Sequence, residues 1–314
     1  MPADTSDEAD DRSRRKELLR RASRASAGLA DRAGRAGRAA ARWFGSTSAG
    51  KRLRQELTDW PETLDAQLDV TGDTAVASDA VPQSGEVVFY IHGFLGEGRL
   101  ESVPLSGAHQ GAALQAALEE VYEGRPDDPP PVVAVVWGSS TEWFRAQRRT
   151  KTAGETFARW LDEHRDRYDS VMVVGHSLGG RVALWTLAAL EDATVDEVAL
   201  LGAAVAPDAV CKQFRDPIET RVTGTVCNYH SENDRAVCSL YRITERAPGI
   251  GCRGSDCGRG PLNSDRRPEN YVDVDVSDRV PGHRDYYQPR GAEYGRGTCV
   301  DLLVERQFAA DHRP

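Results

Sequence analysis

One stretch constrains this chain more than any other: Val171-Met172-Val173-Val174-Gly175-His176-Ser177-Leu178-Gly179-Gly180. An unbroken apolar run rich in β-branched residues reads as a strand covered on both faces. The segment that follows, 178–191, has the length and composition of a helix. Passing from buried strand to helix in so few residues demands a tight turn. Gly175 and Gly179 let the two elements approach without a Cβ between them. Ser177 then stands at the apex on strained backbone, above the carboxyl edge of a sheet and near the positive end of the next helix. In this strand–turn–helix setting G-x-S-x-G points to a serine nucleophile.

The rest of the body repeats the same alternation. Val87–Ile91, Val132–Val136 and Val198–Leu201 (leading on to Val205) are further continuous apolar runs, separated by helix-length segments at about 105–122 and 141–168. Two more strands are expected at 221–230 and 271–276, and 247–268 reads as a long surface loop. Strand–helix repeats of this kind imply a mostly parallel α/β sheet with helices on both faces. No uncharged apolar run approaches the ~18 residues of a membrane-spanning helix, and the apolar clusters exclude a wholly disordered or collagen-like chain.

The net charge of −9 over 314 residues averages two unlike parts. Residues 11–55 carry a net of +11, whereas the chain beyond residue 55 carries −16. An acidic body argues against nucleic acid as its substrate. The division expected is a basic Ala/Arg-rich arm, 1–52, and a catalytic body, 53–314. Arg32, Arg35, Arg38 and Arg42 would share one helical face, so the arm is either a solvated tail or a surface helix making peripheral contact with an anionic membrane. Ser13-Arg14-Arg15 is not followed by the apolar stretch that an export signal requires. The scarcity of Lys beside abundant Arg and Asp fits a salt-adapted or GC-rich source.

A second turn carries chemistry. Tyr90-Ile91-His92-Gly93-Phe94 closes the first long apolar strand. Acyl transfer develops an oxyanion that preorganised N–H groups must meet. The N–H of Leu178 and that of Phe94 are the expected donors. Gly93 lets the backbone approach a substrate, and His92 is expected to fix the loop by hydrogen bonding.

Together the His92-Gly93-Phe94 turn and the Gly175–Gly180 elbow resemble those of the α/β-hydrolase superfamily, over about residues 85–290. The resemblance implies a triad in the chain order Ser, acid, His. For the acid, Asn228-Tyr229-His230-Ser231-Glu232-Asn233-Asp234-Arg235-Ala236-Val237 looks like a lipase/esterase-like branch of unknown physiological substrate. That branch includes the transmembrane and coiled-coil domain proteins, whose membrane segment is not found here. Asp234 is the acid so implied; Asp208 is its rival and Glu232 a weaker one. For the base, His92 and His176 belong to the two turns, and His109 and His164 precede the nucleophile. His312 lies in the tail and His230 closes a strand, which leaves His283 in a Gly-His-x-Asp-Tyr surround.

The expectation is therefore a serine carboxylic-ester hydrolase that works without cofactor or metal on a small-molecule or lipid ester. Ser177, His283 and Asp234 form the triad, and Leu178 and Phe94 the oxyanion hole. His92, Gly93, His176 and Trp137 stand against the substrate, with a small lid near 206–220 and 240–268. An acyltransferase or peptidase using the same triad is the alternative, as is a non-catalytic binding protein of the same fold. All six cysteines fall in the last third of the chain. With no export signal recognised, a cytoplasmic protein with free thiols is the expectation. Cys252 and Cys257 are additionally candidates for a disulfide with each other or a metal half-site.

Overall fold

The structure is a computed structural model, and it describes residues 63–94, 107–245, 247–258, 266–289 and 298–308. The basic arm lies outside the described residues. Eight strands form one sheet: β1 (Gln67–Asp69), β2 (Val76–Ala77), β3 (Gly85–Ile91), β4 (Val132–Val136), β5 (Tyr168–His176), β6 (Glu197–Leu201), β7 (Val226–His230) and β8 (Tyr271–Asp275). Their order is β2-β1-β4-β3-β5-β6-β7-β8. Only the β1–β2 pair is antiparallel. The α-helices among the described residues are α1 (Gly107–Tyr122), α2 (Trp143–His164), α3 (Leu178–Ala189), α4 (Arg215–Arg221), α5 (Tyr241–Glu245), α6 (Ile250–Arg253) and α7 (Val300–Gln307).

The unbroken apolar runs have a direct structural cause. Alternate strand residues face opposite ways, and both faces are covered. Val87, Phe89, Ile91, Val133, Val171 and Val173 join Phe157 and Leu161 of α2 and Val182 and Leu187 of α3 in one core. Val88, Tyr90, Val132, Met172 and Val174 join Leu114 and Leu118 of α1 and Leu303 and Val304 of α7 in the other. A mostly parallel sheet covered on both sides, with a serine turn leaving its central strand β5, is the α/β-hydrolase fold.

Three expectations change. Strand β7 begins only at Val226, because 215–221 coils into α4 and Val222 makes just an isolated bridge to Val195. The segment 247–258 is not a plain surface loop: Ile250 and Cys252 are buried, and Ile250 N–H donates to the Val205 carbonyl at 2.9 Å. Nor are the cysteines all free. Cys211 pairs with Cys257 and Cys238 with Cys252, while Cys227 and Cys299 are free and buried. Cys252 and Cys257 thus each take another partner, which leaves neither thiolate for a metal half-site. The first disulfide joins the two segments in which a lid was expected. Among the described residues no helix is long and apolar enough to cross a membrane.

Candidate active site

Ser177 has φ of +56°, and it is the one non-glycine residue with positive φ among the described residues. An L-residue bears such strain only where its surroundings over-determine it. Here they do. Ser177 N–H donates to the Leu201 carbonyl at 3.0 Å, and the Ser177 carbonyl accepts from Ala204 N–H at 2.9 Å. The turn is tight enough that a Cβ at Gly175 would stand 2.7 Å from both the Gly179 carbonyl oxygen and the Gly180 Cα.

Three side chains from distant parts of the chain meet at this serine. Ser177 Oγ lies 2.9 Å from His283 Nε2, and His283 Nδ1 lies 2.7 Å from Asp234 Oδ2. A carboxylate can only accept, so Nδ1 carries the proton and Nε2 faces Ser177 as an acceptor. Asp234 follows β7 and is fully buried. Its charge is met by four donors: Oδ1 accepts from the N–H groups of Ala236 (3.0 Å) and Val237 (3.2 Å), and Oδ2 from His283 and the Tyr286 hydroxyl (3.2 Å). Burial, and then the Asp234 charge, hold the Tyr286 phenol well above its ordinary pKa, so it stays a donor. The rival acids are elsewhere: Asp208 pairs with Lys212 and Glu232 with Arg253, both at the surface.

The loop bearing His283 follows β8 and is tied down from the turn that bears Asp234. Ser231 Oγ–H donates to the Val280 carbonyl at 2.7 Å, and Asn233 Nδ2–H to the Ser277 carbonyl at 2.6 Å.

On the other side of the serine runs the turn 92–94. A Cβ at Gly93 would stand 2.7 Å from Ser177 Cβ and 3.3 Å from Ser177 Oγ, so only glycine lets this backbone come beside Ser177. Leu178 N–H opens α3, where no carbonyl of the helix can reach it. The remaining residues expected against the substrate are turned inward. His92 is fully buried; its Nε2 accepts from Trp137 N–H at 3.3 Å while Nδ1–H reaches the Gly93 carbonyl at 2.9 Å. Burial lowers the His92 pKa to about 4, which keeps the ring neutral in this role. Trp137, for which the sequence allows either a place at the rim of the site or packing in the core, is fully buried; its indole N–H donates to the His92 carbonyl at 2.9 Å and its ring stacks on His92. His176 is also buried, with Nε2 2.6 Å from the His283 carbonyl oxygen. Phe94 meets Trp143 edge-on, and Trp143 meets Tyr241 in the same way, an aromatic row leading away from the turn.

Of the groups that complete this arrangement, sequence reasoning missed the Tyr286 hydroxyl and the Ala236 and Val237 amides. The tyrosine was visible only as a neighbour in the Gly-His-x-Asp-Tyr string, and backbone amides leave no signal in residue identity.

A family described as a protein of unknown function (DUF726) matches residues 136–291, a span that contains Ser177, Asp234 and His283. No curated protein matches the chain in sequence. Among solved structures, esterase B from Lactobacillus rhamnosis is similar with a TM-score of 0.46 at 13% identity, covering 89% of this chain and 96% of that one. An esterase from Pyrobaculum calidifontis gives a TM-score of 0.43 at 14% identity, over 83% and 90% of the two chains. A thermophilic esterase from Thermogutta terrifontis gives 0.41 at 15% identity, over 82% and 96%.

Proposed function

We propose that this protein is a serine hydrolase that cleaves carboxylic esters through an acyl-enzyme. The observation that carries the reading is the continuous relay from Ser177 Oγ through His283 to a fully buried Asp234, with the serine on strained backbone. His283 Nε2 takes the Ser177 proton as Oγ attacks the ester carbonyl carbon. The carbonyl oxygen becomes an oxyanion facing the N–H groups of Leu178 and Phe94. Collapse of the tetrahedral adduct breaks the ester C–O bond, and His283 gives its proton to the departing alcohol. A water molecule, deprotonated by the same histidine, then releases the acid and restores Ser177. Asp234 keeps Nδ1 protonated and stabilises the imidazolium.

The substrate reading is a small-molecule or lipid ester, with the acidic body unsuited to nucleic acid. The two disulfides favour an oxidising working environment, where such bonds persist, over the cytoplasm. The test is covalent labelling by a fluorophosphonate together with hydrolysis of p-nitrophenyl acetate. The full-length protein should label and turn over, and a folded Ser177→Ala protein should do neither. Turnover retained by Ser177→Ala, or no labelling of the folded wild type, overturns the assignment. Product analysis with an added alcohol or amine separates hydrolysis from acyl transfer.

A further inference from the structure

His176, the residue before the nucleophile, has no part in the proton relay, yet it is bonded to the relay's base. It ends β5, is 4% exposed, and lies 2.6 Å through Nε2 from the backbone carbonyl oxygen of His283. A carbonyl oxygen only accepts, so Nε2 carries the hydrogen. Around the ring stand His283 at 4.7 Å, Tyr287 edge-on at 5.0 Å and Tyr286 at 6.3 Å between centroids. Burial, with His283 adding to it, pushes the His176 pKa well below its ordinary value. The ring is therefore neutral, with one tautomer fixed by the bond it makes. Its Nδ1 is buried and has no partner among the described residues. A core histidine with one nitrogen unused is a costly way to fill space, so the nitrogen that is used calls for an explanation.

The loop around His283 supplies one. The ties from Ser231 and Asn233 hold that loop at Ser277 and Val280, three and more residues before the base. The bond from His176 grips the main chain at residue 283 itself, and it springs from the residue peptide-bonded to Ser177. Nucleophile and base are thus joined twice, once through side chains and once through backbone.

We propose that His176 is a positioning residue, whose Nε2–H clamps the main chain of His283 and so sets the distance from base to nucleophile. This rests on the serine-hydrolase reading above. A displacement of about 1 Å at a reacting group can cost about 100-fold in rate, and the clamp acts where such a displacement would arise. It touches no substrate, so its loss should be felt in kcat and not in KM.

The test compares His176→Phe, which keeps an aromatic ring but no donor, with His176→Gln, whose amide N–H reaches about as far as Nε2. Both are made in the full chain and assayed on p-nitrophenyl acetate. His176→Phe should lower kcat about 10- to 100-fold with KM within about twofold. His176→Gln should recover most of the rate. The far-downfield proton NMR signal of the hydrogen between His283 Nδ1 and Asp234 should broaden or shift in the Phe variant and return in the Gln variant. Equal kcat for wild type and a folded Phe variant overturns the proposal. So does a folded Gln variant whose kcat stays 10-fold or more below that of wild type, a comparison that does not depend on whether the Phe variant folds. The NMR signal needs no turnover. If it responds as expected while wild type neither labels nor hydrolyses, the clamp stands and the hydrolase reading falls.

Discussion

Two stretches of the chain deliver the proposed chemistry to one edge of the sheet, and they are held by different forces. Residues 85–201 bring Ser177 and the turn 92–94. Their strands lie centrally, buried on both faces by α1, α2 and α3, and close backbone approaches at Gly93 and Gly175 fix the turns. Residues 202–289 bring Asp234 and His283. Here the fixings are polar and covalent: the Ser231 and Asn233 bonds to the His283 loop, the Tyr286 hydroxyl on the acid, and two disulfides. The first stretch is positioned by packing, which is stiff and tolerates no added volume. The second is packed as well, through Tyr229, Val237, Ile250 and Tyr286, but it carries in addition bonds that can be removed one at a time.

Asp234→Asn is the sharpest way to break that second stretch. The amide occupies nearly the same volume, so the fold should survive, but it can offer Nδ1 of His283 a donor where a carboxylate offers only acceptors. The wrong tautomer then faces Ser177. By analogy with other serine triads, kcat should fall about 10⁴-fold, equivalent to roughly 5.5 kcal/mol of barrier. Ester hydrolysis with thermal unfolding as a control measures it. A loss of tenfold or less would mean that the acid is not part of the relay.

Reduction acts on the same stretch and should have the next largest effect. Cys211 and Cys257 are 46 residues apart, and Cys238 and Cys252 are 14 apart. Loop-closure entropy predicts about 4 and about 3 kcal/mol of stabilisation for loops of those sizes. Cys238–Cys252 ties the helical turn after Asp234 to α6, whose Gly251 carbonyl accepts from Ser231 N–H at 3.0 Å. Urea denaturation with and without reductant should show the loss. Amide exchange should quicken over 231–258 more than over 171–187. Equal acceleration in both would erase the distinction between the stretches.

The same division explains what could be read from the sequence. Around Ser177 strand, turn and helix are local, so the apolar run and glycine spacing specify them without knowledge of the rest. The Asn228–Val237 segment and the Gly-His-x-Asp-Tyr surround pointed to the residues that meet Ser177, but through resemblance and not through any physical rule. The disulfides were not legible, because six cysteines permit 15 full pairings and their choice depends on how α4, α6 and the turn after Asp234 fold together. Ile250 reads as a loop residue because the partners of its backbone, the Val205 carbonyl and the Asn228 amide, are remote in sequence. Strands β1 and β2, of three and two residues, are too short to show a period.

If reductant loosens the second stretch, acid should loosen the first, and His92 is the reason. Burial holds its pKa at about 4 in the folded protein, against about 6.5 when unfolded. The unfolded chain therefore binds the extra proton first as pH falls. The stabilising contribution is complete above about pH 6.5 and is lost progressively as pH drops towards 4, amounting to about 3 kcal/mol in all. His176, also shifted down by burial, adds loss in the same direction. Protonating His92 costs more than a buried charge, because Nε2 then becomes a donor and can no longer accept from Trp137 N–H. The tie between the turn 92–94 and β4 should break with it. Urea denaturation between pH 7 and pH 4 should show the decline, and His92→Gln, whose side chain does not titrate, should flatten it. Amide exchange at low pH should then rise around 87–94 and 132–137 while the disulfide-bonded segment stays protected. A stability profile that is level from pH 6.5 to pH 4 would show that His92 does not carry the packed stretch in its neutral form.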